Sequence, residues 1–229
     1  MIAVIGDIHG CYYTFQEVYK RIKSKYPDIS VYCVGDLIDR GNFSYEVVEF
    51  VKKENIQFTA GNHDLMFYYF VKKPDSEMAS SWLYNGYEKT MSSYEVHFEE
   101  INKHVNFIYR APLFINLTDC FISHAGISTY YKKQIGINPL DDIDKLEEIV
   151  ASDVASTHSI VWTRDELLNL GKLQVVGHTR QSNIKYIENN NAVYIDTSVY
   201  TGNKLSAVIL ENNKVVDKIG VPTDSRDIE

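Results

Sequence analysis

The chain has 229 residues, with 31 acidic against 23 basic side chains for a formal charge of −8, and with 45% hydrophobic and 24% charged content. These proportions suit a globular protein with a substantial core and exclude disordered and fibrous classes, and the acidic balance argues against nonspecific nucleic-acid binding, which draws on Lys and Arg at phosphates. Apolar runs such as Leu65 to Val71 fall far short of the roughly 18 to 20 residues of a membrane span, Met1 leads straight into an apolar segment with no room for a basic leader, and the three cysteines form no CxxC pair, so one cytoplasmic domain over 1–229, away from membranes, is expected.

Ile2 to Ile5 is apolar without alternation, which predicts a strand buried on both faces. Tyr12, Phe15, Val18, Tyr19 and Ile22 recur at helical spacing up to Lys25, and Pro27 closes that helix. A strand from Val31, a helix over Ser44 to Lys53 and a strand from Ile56 continue a βαβ rhythm. A buried helix is predicted over Leu65 to Val71, with its Phe67, Tyr68 and Tyr69 in the core rather than serving as a stacking platform. Residues 76–110 read as a helical excursion with Trp82, Asn85 and Gly86 in a turn, and Tyr94, Phe98, Ile101, Val105 and Ile108 as one apolar face. His97 and His104, seven apart on that helix, are expected to be solvated or capped rather than to hold a metal. Strands follow at Leu113 to Leu117 and Cys120 to Ser123, an acidic helix at Asp141 to Ala151, and a short helix after Arg164 that Gly171 caps. Short strands then dominate, at Val193 to Ile195, Leu205 to Leu210 and Val215 to Ile219, and residues 222–229 are expected to form a loose polar tail.

One local grammar recurs: an apolar strand, a glycine, then an acid, histidine or asparagine. It occurs in GDIHG (Gly6 to Gly10), GDLIDRG (Gly35 to Gly41), GNHD (Gly61 to Asp64), HAG (His124 to Gly126) and GHT (Gly177 to Thr179). Functional groups gather at the carboxyl ends of strands, so five such ends predict one crevice. Convergence would bring together Asp7, His9, Asp36, Asn62, His124 and His178, oxygen and nitrogen donors without sulfur that suit two divalent transition ions. Two ions about 3.5 to 4 Å apart acidify a shared water and steady the entering and leaving oxygens of an in-line displacement, which is phosphoester hydrolysis. His63, Asp39, Arg40 and Arg164 remain beside the donors: a histidine oriented by a carboxylate suits a general acid, and guanidiniums suit phosphate oxygens.

In this order and at these separations, the five motifs resemble the phosphoprotein phosphatase branch of the calcineurin-like metallophosphoesterases, over nearly the whole chain. The resemblance implies a mixed α/β, four-layer sandwich: two central mixed sheets flanked by helices. It implies Asp7, His9 and Asp36 around one metal, with Asp36 bridging to a second metal held also by Asn62, His124 and His178. It further implies that His63 protonates the leaving group, that Asp39 orients His63, that Arg40 and Arg164 clamp the phosphoryl group and that Tyr200 in DTSVYTG is a late active-site tyrosine. The cofactor expected is a pair of divalent transition ions, manganese ahead of iron or zinc.

GNHD, with Asp64 followed by Leu65, looks like the symmetrical dinucleoside tetraphosphate hydrolases. Asp39 in GDLIDRG and Thr179 in GHT tilt the expectation instead to a serine/threonine protein phosphatase-like phosphomonoesterase acting on a phosphoprotein or a small phosphoester. The stretch Trp82, Asn85-Gly86, Thr90 and Ser93-Tyr94 resembles the insertion of compact bacterial and phage-type members, although Tyr87 stands where a second glycine is common. A metal-binding scaffold without turnover is the reading from another class, and the presence of His63, Asp39 and both arginines weighs against it.

Overall fold

A computed structural model describes residues 1–136 and 138–229. In chain order it runs β1 (Ile2–Ile5), α1 (Tyr12–Lys25), β2 (Ser30–Cys33), α2 (Ser44–Lys53), β3 (Gln57–Phe58), α3 (Asn62–Lys72), α4 (Glu77–Trp82), α5 (Tyr87–Ser93), α6 (Ile101–Tyr109), β4 (Phe114–Asn116) and β5 (Phe121–Ser123). It continues through α7 (Lys132–Ile135), α8 (Ile143–Ser152), β6 (Gln174–Val176), β7 (Lys185–Ile187), β8 (Ala192–Tyr194), β9 (Lys204–Glu211) and β10 (Lys214–Pro222). The strands form two mixed sheets, ordered β10-β9-β1-β2-β3 and β4-β5-β6-β8-β7. Within the first, β1, β2 and β3 are parallel. Within the second, β5, β6 and β8 are parallel.

The unbroken apolar run of β1 has a simple cause. Ile2 and Val4 enter a core between the sheets, shared with Val208 and Leu210 of β9, Ile122 of β5, Val175 of β6 and Val193 of β8. Ala3 and Ile5 point the other way, into a core that holds Phe15, Val18 and Ile22 of α1 and Val47, Val48 and Val51 of α2. Each side chain of β1 is thus buried on one of two faces, and no position is left for a polar residue.

Four expectations fail for tertiary reasons. The segment after Arg164 forms no helix; Leu167 instead pairs with Ser128 in an isolated antiparallel bridge and is buried. The apolar face proposed for 94–108 is split, because Tyr94 ends α5, α6 begins at Ile101, and Phe98 between them is 69% exposed. His104 is not solvated: it is fully buried, its ring nitrogens capped instead, Nδ1 by the Tyr94 hydroxyl at 2.7 Å and Nε2 by Glu49 Oε1 at 2.7 Å.

The tail is docked as well. Cys11 stands at the N-cap of α1 and makes no side-chain cap, so the N–H groups of that first turn need another acceptor. Asp227 supplies it: its carboxylate accepts from the N–H of Tyr13 and of Thr14, each at 2.9 Å, and from the Thr14 hydroxyl at 2.6 Å. The end of the chain therefore caps its first helix.

Asp227→Ala should lower the urea-unfolding free energy by about 1–3 kcal/mol, the cost of orphaning the Tyr13 and Thr14 N–H groups and the Thr14 hydroxyl, and Asp227→Asn by less because it keeps an acceptor. A loss below about 0.3 kcal/mol for the alanine variant would contradict the capping role.

Candidate active site

The parallel strands of each sheet end on one edge, and the two edges meet. From β1 come Asp7 and His9, from β2 Asp36, Asp39 and Arg40, from β3 Asn62 and His63, from β5 His124, from β6 His178 and from β8 Asp196. The edges are stitched together where the His178 N–H donates to Asp7 Oδ2 at 3.0 Å and where Asn62 Oδ1 lies 2.9 Å from His124 Nε2. The recurring glycines make room for this approach. A Cβ at Gly61 would lie 2.1 Å from Asp36 Oδ1, and one at Gly177 would lie 1.9 Å from Asp7 Oδ1.

Backbone strain is concentrated here. His9, Asp36, Asp39, Arg40 and His178 all have positive φ, between 47° and 73°, a region that side chains other than glycine rarely adopt. Each costs on the order of 1 kcal/mol, and the stable sheets beneath hold them there.

Backbone carbonyls, which only accept, fix the ring tautomers. His9 Nδ1 donates to the Ile38 carbonyl (2.9 Å), His124 Nδ1 to that of Val34 (3.0 Å) and His178 Nε2 to that of Trp162 (3.0 Å). The other nitrogen of each ring thus presents a lone pair to the site. Asp36 Oδ2 lies 3.6 Å from His9 Nε2 and 3.4 Å from His124 Nε2, and Asn62 Oδ1 lies 2.9 Å from His124 Nε2 and 3.0 Å from His178 Nδ1. Asn62 turns its oxygen to these rings, although its NH2 would have satisfied both lone pairs. Donors about 2.0–2.2 Å from a common ion lie roughly 2.8–3.6 Å from one another, so these separations are those of ligands around first-row cations. The His63 N–H occupies Asp36 Oδ1 at 3.0 Å, leaving Oδ2 as the oxygen placed between the two sets of donors. The donor set therefore fits a pair of divalent ions.

Electrostatics agree with that fit. Burial is the main force that pushes His9 well below the ordinary imidazole range, lowers His124, and brings His178 down to about 3, so all three are neutral, as ligands must be. Burial, Asp196 and Asp36 raise Asp7 well above the ordinary carboxylate range. Three buried carboxylates side by side call for compensating positive charge.

His63 is built differently. Its Nδ1 donates to Asp39 Oδ2 at 2.6 Å, and Asp39 is fully buried, held by the Trp82 indole N–H (2.8 Å) and the Thr90 hydroxyl (2.6 Å). His63 Nε2 faces the cavity, where Arg40 meets it at 2.8 Å while also reaching His9 Nε2 at 3.1 Å. The Arg40 guanidinium lies 4.4 Å over the Tyr200 ring, and Arg180 donates to the Tyr200 hydroxyl at 3.2 Å. The cavity above the donors is about 410 Å³, with Arg40, Arg164, Arg180, Trp162 and Tyr200 in its walls.

All eleven residues singled out from the sequence border this cavity or, for Asp39 and His124, lie buried directly behind it. Four participants were missed. Asp196 follows the strand AVYI with no glycine within two residues on either side, so the grammar passed over it; Arg180 adjoins GHT and needed only that neighbourhood to be noticed. Trp162 carried no local signal, and Trp82, expected in a turn, instead anchors Asp39. Asp64 looked like a substrate marker but is a brace: its carboxylate accepts from the Leu37 N–H (2.9 Å) and the Gly61 N–H (3.0 Å), tying two site loops together. Cys11 is buried, and burial raises its thiol far above the reactive range.

Lone pairs that converge without protons require cations, and guanidiniums gathered beside them require an anion; together they define a metal-dependent phosphoester hydrolase. The chain belongs to the calcineurin-like phosphoesterase family, whose model matches residues 1–216 and whose members carry a dinuclear divalent metal centre. It is similar to the asymmetrical bis(5'-nucleosyl)-tetraphosphatase PrpE of Bacillus cereus, 27% identical over 90% of this chain and 88% of that one. Its fold is shared with a cold-active protein-tyrosine phosphatase of a psychrophilic Shewanella (TM-score 0.63, 17% identity, 97% and 80% of the two chains). It is shared also with a yeast protein serine/threonine phosphatase, from Saccharomyces cerevisiae, with similarity to human PP5 (TM-score 0.52, 15% identity, 97% and 79%).

Chelator-treated protein should gain roughly 5–11 °C in thermal midpoint when manganese is added at about 100 times its Kd, and Asp36→Asn should abolish the gain. An equal gain in the variant would remove Asp36 from the ligand set.

Proposed function

We propose that the chain cleaves a phosphoanhydride bond of a dinucleoside polyphosphate, with phosphomonoester hydrolysis as a lesser activity of the same centre. The observation that carries this reading is the triple set of arginines. Arg40, Arg164 and Arg180 line one cavity, more positive charge than a single phosphoryl group needs, and the Trp162 and Tyr200 rings share its walls. The name borne by the Bacillus relative agrees with it. The tilt toward a serine/threonine phosphatase rested on Asp39 and Thr179, and Asp39 does not discriminate: fully buried behind His63, it sets a histidine and touches no substrate.

In this reading Asp7, His9, Asp36, Asn62, His124 and His178 hold two divalent ions, manganese first. When bound, these supply the Lewis acidity that activates water and steadies phosphoryl charge. Arg40 turns from His63 to the incoming anion and, with Arg164, clamps the phosphoryl group, while Arg180, fixed beside Tyr200, takes a neighbouring phosphate. Water forms the new P–O bond and gives up a proton to solvent as the anhydride P–O bond breaks, and His63, its ring held by Asp39 and its Nε2 protonated from solvent once Arg40 has turned away, delivers that Nε2 proton to the leaving oxygen. Residues 1–229 act as one catalytic unit, supported by the return of Asp227 to α1. Three buried free thiols suit a reducing cytoplasm, and among the described residues no helix is long and apolar enough to cross a membrane.

A hydrolysis panel with manganese should give the highest kcat/KM for diadenosine tetraphosphate, above a phosphoserine peptide and a phosphotyrosyl peptide; ATP plus AMP marks asymmetrical and two ADP symmetrical cleavage. A phosphopeptide preferred over the dinucleotide would reverse the assignment. On an alkyl phosphate, whose leaving group needs a proton, His63→Asn should lower kcat by about 10²- to 10⁴-fold, and by much less on p-nitrophenyl phosphate. Equal losses on the two would remove His63 as the acid.

A further inference from the structure

We propose that Tyr84 forms a nucleobase-stacking subsite at the rim of the metal cavity, an inference that rests on the nucleotide reading of the substrate. Tyr84 is 88% exposed, more than any other large hydrophobic residue described, yet it lines the same cavity as Asp36 and His63. Phe98, Tyr130 and Tyr186, the other strongly exposed rings, lie outside that cavity.

The turn that carries Tyr84 is fixed on both sides to the catalytic machinery. Two residues before it, the Trp82 indole donates to Asp39; two residues after it, the Gly86 carbonyl accepts from the Arg40 N–H at 3.3 Å. Between them, Asn85 Nδ2 donates to the Ser81 carbonyl at 2.7 Å and the Tyr84 N–H to the same oxygen at 3.2 Å. Gly86 has φ of 91°, and a Cβ there would come 3.1 Å from Arg40 Cγ, so the turn is pressed close against that arginine. An aromatic ring held out in water on a rigid support loses little freedom when a flat partner stacks on it. Purine rings are such partners, and base stacking on aromatic side chains tolerates any base. With Arg164 and Arg180 in the same walls to take phosphates, the geometry suits a nucleoside joined to a polyphosphate.

The test is calorimetric titration of the manganese-loaded protein with adenosine 5'-(β,γ-imido)triphosphate and with imidodiphosphate, neither of which turns over readily. Tyr84→Ala should weaken binding of the nucleotide about 5- to 20-fold and change imidodiphosphate by less than about twofold, while Tyr84→Phe binds both as the parent does. Nucleotide affinity within about twofold of the parent for Tyr84→Ala, or an equal loss for both ligands, overturns the subsite. A parent that leaves diadenosine tetraphosphate intact but stacks a nucleotide on Tyr84 overturns only the substrate reading.

Discussion

The interaction on which the rest of the structure depends is the confrontation of lone pairs at Asp36 Oδ2. Two imidazole nitrogens face this oxygen, from His9 at 3.6 Å and His124 at 3.4 Å, and each has its other nitrogen committed to a backbone carbonyl. No arrangement of protons on neutral rings makes that attractive; divalent cations do. The family's dinuclear centre is therefore written into the hydrogen bonds behind the site as much as into the donors that face it.

The fold serves this constraint. Parallel strands put their carboxyl ends on one edge, and packing two mixed sheets face to face brings two such edges together, which is how donors from opposite halves of the chain come to share oxygen and nitrogen contacts. Gly61 and Gly177 give space for the carboxylates of Asp36 and Asp7, and His9, Asp36 and His178 accept left-handed backbone in return. Helical residues 76–110 do more than cover a face. Trp82 and Thr90 hold Asp39, Asp39 holds His63, and Gly86 meets Arg40, so the insertion is coupled to two side chains of the cavity wall.

Much of this could be read from residue order. The bounds of α1 and α2, the double burial of β1 and the two mixed sheets follow from periodicity and from motif resemblance. What local pattern could not supply was long-range pairing. Asp227 looks like loose tail because its partners, the first-turn N–H groups of α1, lie more than two hundred residues away in sequence. Leu167 looks helical because DELLNLG carries helical spacing, but its bridge to Ser128 decides its conformation. His104 stands on an apolar stripe and is buried there because Tyr94 and Glu49 satisfy both nitrogens. Asp196 escaped notice because its strand reaches the common edge with no glycine on either side of the acid; only the topology, which sets β8 beside β6, puts it with the others. Substrate choice was the least legible feature: GDLIDRG, with its Arg40, and GHT concern the machinery shared by monoester and anhydride hydrolysis, whereas Arg164, Arg180, Trp162 and Tyr200, the other arginines and rings of the cavity wall, lie outside the motifs.

The most direct measurement is anomalous diffraction from crystals grown with manganese. Two peaks with Asp36 between them, one beside Asp7 and His9 and the other beside Asn62, His124 and His178, are expected. A single peak, or peaks away from Asp36, would contradict the dinuclear centre and the hydrolytic assignment built on it.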